Sequence, residues 1–247
     1  MKRLLSWQVL LSILLISLSV FFYYIHFRIF HDLHHIFLYL IGDIAFLFLD
    51  VLIVALILNR ILTIRERHSL RHKMNMVIGT FFSELGNYIL IEFTLLDKLA
   101  SSFTHNLIIT SDWKKADFAR IIKLVNCYSS SIEVKPANLE RIREYLLQKR
   151  SFLLQLLANQ NLMEHESFTD LLWALFHLTD ELQHRKVITD LSEADEQHLA
   201  GDINRVYLQL MSTWVAYMRH LQINYPYLFS LAMRTNPFDS NATVEIK

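Results

Sequence analysis

Two long apolar runs near the start of the chain constrain its folding more than any other feature. The first is Leu4 to Ile25, LLSWQVLLSILLISLSVFFYYI, and the second is Ile36 to Leu62, IFLYLIGDIAFLFLDVLIVALILNRIL. About 20 consecutive apolar residues wound as an α-helix cover the ~30 Å hydrocarbon core of a bilayer. In lipid, only a helix or a closed barrel satisfies the polar groups of the backbone. The runs are therefore expected as two transmembrane helices, about 4–25 and 36–62, within a hairpin domain 1–62. Met1-Lys2-Arg3 resembles the basic start of a signal peptide. The apolar stretch behind it is too long for one, and no small-x-small cleavage site follows, so the helix is expected to be retained. About ten residues, 26–35, are left to connect the two spans.

Charge sets the expected orientation. Lys2 and Arg3 precede the first run, and Arg60, Arg65, Arg67, Arg71 and Lys73 follow the second. The positive-inside rule places both termini in the cytoplasm, in a protein crossing the cell inner membrane twice. The bases after the second run are expected at lipid headgroups, where each contributes ~1 kcal/mol. Residues 1–75 hold eight of the 24 bases and only four of the 24 acids, which leaves the remainder mildly acidic and argues against a nucleic-acid partner. Only 4 Gly and 3 Pro occur in 247 residues, too few for sandwiches, barrels or doubly wound sheets, so the expected class is all-α. Cys127 is the single cysteine, which excludes an intrachain disulfide and a cysteine-based zinc site.

Asp43 and Asp50 interrupt the second run. A carboxylate at the centre of a span costs ~2.5–3.5 kcal/mol on insertion scales, so something must offset it. Seven residues apart, the two lie about 20° from each other around a helix, and Tyr39 extends the same line. Val54, Ile57 and Ile61 continue it as an apolar constriction. Two readings follow. Acidic rings above an apolar constriction are the parts of a cation pathway, which several copies would have to line. Alternatively, Ser12 faces Asp50 and Ser19 faces Asp43 at equal depth in an antiparallel hairpin, and two serine–carboxyl hydrogen bonds would fasten it. In the connection, His31, His34 and His35 have the spacing of metal ligands on one helical face, beside Asp32. Interfacial histidines at a helix end are the simpler reading.

Residues 63–104 are expected as a helical stalk followed by an amphipathic helix, and 105–247 as a cytosolic helical bundle with a short tail. Ser111 is placed to cap a helix to about Val125, Pro136 to open one to about Ala158, Ser167 one to about His184, and Ser192 one to about Leu221. In the last of these, Leu199, Ile203, Val206, Leu210, Trp214 and Met218 form a core stripe. Asn224-Tyr-Pro226 ends it, and a short helix to about Arg234 precedes the tail. No phosphate loop, nucleophile elbow or His-Glu-x-x-His motif is present. Glu181-Leu-Gln-His184, with His198 in the next helix, has the Glu-x-x-His spacing of di-iron bundles. Phe168, Leu171, Leu172, Leu175 and Leu182 claim the core face of that helix, however, which turns His177, Glu181 and His184 to the other side. No metal or cofactor is therefore expected. The function expected is an oligomeric, channel-like cation pathway with a cytosolic regulatory or assembly domain. The alternative is a membrane-anchored interaction module without transport activity. Lipids, further copies of the chain and a cytosolic protein are the expected partners.

Overall fold

A computed structural model describes the backbone of residues 2–159, 162, 166–188 and 190–245, and the side chains of these except at 2–6, 8 and 63–73. The chain is all-helical, and among the described residues no β-strand forms. It divides into two compact units, Met1–Arg67 and His68–Lys247.

The first unit holds α1 (Lys2–Phe30) and most of α2 (Leu33–Phe81). Both contain stretches long and apolar enough to cross a membrane, Val9–Phe30 and Leu33–Leu62. The connection is far shorter than the ten residues expected, because the flanking histidines continue both helices. His31 takes the left-handed conformation, with φ 52°, and ends α1 where glycine usually does. Asp32 then caps α2 by accepting the His35 N–H at 3.2 Å. Two residues therefore suffice to reverse the chain.

The second unit is built around α9 (Glu193–Asn224), which packs against α3 (Asn87–Leu96), α5 (Lys115–Asn126), α8 (Glu166–His184) and α10 (Pro226–Arg234). The stripe read from the sequence is the core: Leu199, Ile203, Val206, Leu210, Trp214 and Met218 are all buried. Residues 63–104, expected as a stalk and amphipathic helix, supply core side chains from Met74 onward. Phe81, Phe82, Leu85, Ile89, Leu90, Phe93 and Leu96 are buried there. Between α2 and α3 the helix widens into a π-helical turn, Phe82–Gly86. A Cβ on Gly86 would stand 2.6 Å from the Phe82 ring, so the absence of a side chain is what lets Phe81 and Phe82 pack edge to face beside it.

Three helix starts or runs depart from expectation. α8 already includes Glu166, so Ser167 lies inside its first turn and does not precede it. α5 starts at Lys115 rather than behind Ser111, because Asp117 reaches back to the Lys114 N–H at 2.8 Å. The helix opened by Pro136 breaks at Lys149 into α6 (Pro136–Gln148) and α7 (Arg150–Leu157). The break lets adjacent bases reach different acids, Lys149 to Glu84 at 2.8 Å and Arg150 to Asp180 at 3.2 Å. Ser192 caps α9 as expected, accepting the Asp195 N–H at 3.2 Å. After α10 the buried Asn236 donates to the Leu107 carbonyl at 2.9 Å and accepts the Phe238 N–H at 2.9 Å. Phe238 then seats edge-on against Trp214.

Candidate functional site

In the apolar hairpin, polar side chains gather at the turn end. The His26 and His35 rings stack 5.8 Å apart, and His35 leans on Tyr39 at 4.7 Å. These residues, with Tyr23, Ile36 and Asp43, surround a cavity of about 280 Å³. The Nδ1 atoms of His26 and His35 are buried without a hydrogen-bond partner. Asp43 and Asp50 are exposed on the single chain, as are Ser12 and Ser19, and among the described residues no hydrogen bond joins either serine to either carboxylate. Val54, Ile57 and Ile61 are likewise exposed, about half of each surface being open. Arg60 is exposed; the side chains of Arg65, Arg67, Arg71 and Lys73 lie outside the described residues.

The second cluster lies between α8 and α9. His177 and Glu181 from α8 face His198 and Asp202 from α9. His177 Nε2 and His198 Nε2 each stand 3.4 Å from Asp202 Oδ2. Glu181 lies 4.0 Å from His177 and 3.8 Å from His198. Arg185 holds Glu181 at 2.5 Å and Asp195 at 3.1 Å, and Arg205 approaches Asp202 Oδ1 at 3.3 Å. The Arg185 hydrogen bond keeps the Glu181 carboxyl below its ordinary range.

Two family models match the chain. One, described as MJ1433, N-terminal helical domain, covers residues 2–62. The other, described as Uncharacterized protein MJ1433, C-terminal helical domain, covers residues 70–234. A relative from Methanocaldococcus jannaschii, described as Uncharacterized protein MJ1433, is 38% identical over 238 residues, 96% of each chain. The chain belongs to the MJ1433 family. No solved structure matches it.

The division of the MJ1433 family into two helical domains falls where this fold divides, with Asp43 and Asp50 in the N-terminal domain and the His177 cluster in the C-terminal one. Of the six residues with metal-ligand spacing in the sequence, the structure unites two. Glu181 and His198 meet, whereas His184 is exposed and donates from Nδ1 to the Asp180 carbonyl at 2.7 Å. His31 occupies the turn, His34 is exposed and His35 faces His26. Sequence reasoning missed Asp202. The signal was a matched pair of i,i+4 spacings: His177 and Glu181 on one helix, His198 and Asp202 on the next. In antiparallel neighbours the first of one pair faces the last of the other.

Proposed function

We propose that this chain is a membrane protein of two spans, assembled from several copies, whose second helix offers cations a route across the bilayer. The observation that carries the reading is the state of Asp43 and Asp50. Both are exposed, aligned on one face of an apolar stretch of 30 residues, and without a protein partner in the single chain. Carboxylates so placed are stable only against other protein or water. Copies packed with this face inward meet that need and give a line of acids with Val54, Ile57 and Ile61 as its narrow part. The cavity between Asp43 and the stacked histidines is an approach to the line from the turn end. Arg60 and the bases behind it hold the other end at anionic headgroups, with both termini in the cytoplasm.

The test is cation flux through the full-length protein in vesicles. Asp43→Asn and Asp50→Asn keep size and hydrogen-bonding capacity but remove charge. Each is expected to lower flux at least tenfold or to weaken cation selectivity, with the oligomer in detergent unchanged. Wild-type vesicles that pass no cation would overturn the reading.

A membrane-anchored interaction module is the second reading. It is favoured by a crevice of about 450 Å³ that Gly79, Tyr217, Leu221, Tyr227 and Leu228 help to line, beside which Tyr227 is 71% exposed.

A further inference from the structure

The cluster between α8 and α9 lies in the C-terminal unit, outside the apolar hairpin, and its geometry suits a different task. We propose that His177, His198 and Asp202 bind a divalent transition-metal ion, with Glu181 as a fourth ligand within reach.

Distances come first. The three residues each offer a ligand atom, and these atoms lie within 4.8 Å of one another; among the described residues no other such group forms. A tetrahedral ion with bonds of about 2.0–2.1 Å holds its ligand atoms about 3.3 Å apart. The two imidazole nitrogens already stand 3.4 Å from Asp202 Oδ2, so two edges of the polyhedron are in place without a metal to draw them together.

The second observation is independent of those distances. Asp202 is 4% exposed, and its Oδ2 makes no hydrogen bond although it is buried. Neither imidazole nitrogen, though within ion-pair range, donates to it. A buried carboxylate oxygen without a donor is costly. A cation held between the two rings removes that cost.

The scaffold and the charge agree with this. Each helix contributes an i,i+4 pair, the spacing that puts two ligands on one face. The groups facing the site are the acids Glu181, Asp195 and Asp202 and the bases Arg185 and Arg205, with the two histidines. With neutral imidazoles the sum is −1, which attracts a dication. Arg185 grips Glu181 Oε2 and leaves Oε1 free to turn toward the ion. Two imidazoles with carboxylate select zinc-like ions over calcium or magnesium, which prefer all-oxygen shells. The His177 and His198 side chains are about half exposed, 49% and 53%, so an ion can enter from solvent and keep a water ligand.

The test uses the full-length protein in detergent, stripped with a chelator and titrated with Zn²⁺ and with Co²⁺. One Zn²⁺ per chain, a melting temperature that rises with zinc concentration, and the intense visible absorption of tetrahedral Co²⁺ are expected. His177→Ala and His198→Ala, both partly exposed positions, should fold as the wild type does without metal and bind zinc at least tenfold more weakly. His184→Ala should bind as the wild type. Three results would overturn the proposal: no stoichiometric zinc, zinc binding unchanged in both His177→Ala and His198→Ala, or loss of binding in His184→Ala alone. None of them bears on the membrane pathway, which vesicle flux tests separately.

Discussion

Asp97 shows how much one side chain can organise. It ends α3 in extended conformation and is almost fully buried. Its Oδ1 accepts the N–H groups of Leu99 at 3.0 Å and Ser131 at 2.9 Å, and its Oδ2 accepts the Tyr128 hydroxyl at 2.6 Å. Two loops distant in sequence are thereby tied together, with the Lys98 N–H to Ser131 carbonyl bond beside them. Burial and the carboxylate push the Tyr128 hydroxyl well above its ordinary pKa. Asp97→Ala leaves two backbone donors and a hydroxyl without an acceptor. It is expected to cost about 2–3 kcal/mol, and Asp97→Asn less, because the amide retains an acceptor for the backbone and gains a donor toward Tyr128. Chemical unfolding of the two variants beside the wild type measures both.

Among the elements, α3 and α9 meet through Tyr207, which is fully buried and hydrogen-bonds Thr94 Oγ1 at 3.1 Å. Burial raises its hydroxyl from 10.0 to about 12. The unfolded chain ionises at the lower value, so ionisation favours unfolding. The stabilisation is complete below pH 10 and is lost as pH rises toward about 12. A loss of up to ~2–3 kcal/mol follows from a shift of that size. Tyr207→Phe should therefore show a smaller drop in unfolding midpoint between pH 8 and 11 than the wild type. The elements themselves were largely legible in the sequence. The four-and-three spacing of α9, Pro226 at the first turn of α10 and Ser192 ahead of α9 are local signals, and each carries its own mechanism. What the sequence hid is non-local. Periodicity correctly turned His177 and Glu181 away from the apolar core of α8, but it could not show that α9 runs alongside that polar face and brings Asp202 to it. The places of Asn236 and Phe238 could not be read at all, because their partners, the Leu107 carbonyl and Trp214, lie 129 and 24 residues away.

At the scale of the whole chain, the single cysteine gives a direct readout of topology. Cys127 is exposed in the C-terminal unit. On the proposed orientation, with both ends in the cytoplasm, a membrane-impermeant thiol reagent added to sealed cells should leave the wild type unlabelled and should label Asp32→Cys at the turn. Labelling of Cys127 from outside would reverse the proposed orientation. The Phe238 plug has a further consequence, for the order of events during synthesis. Ribosomes deliver the two apolar helices first, and domains generally fold as their residues emerge. The C-terminal unit cannot complete its core by that rule until residues 236–238 arrive, since they bring the Phe238 ring to the edge of Trp214 and the Asn236 amide to the Leu107 carbonyl. From the appearance of Phe81 until Phe238 is in place, this part of the aromatic core is therefore open to chaperones and proteases. A chain that stops before Phe238 would keep the first unit and most of the second but leave that core unsealed, a natural mark for quality control.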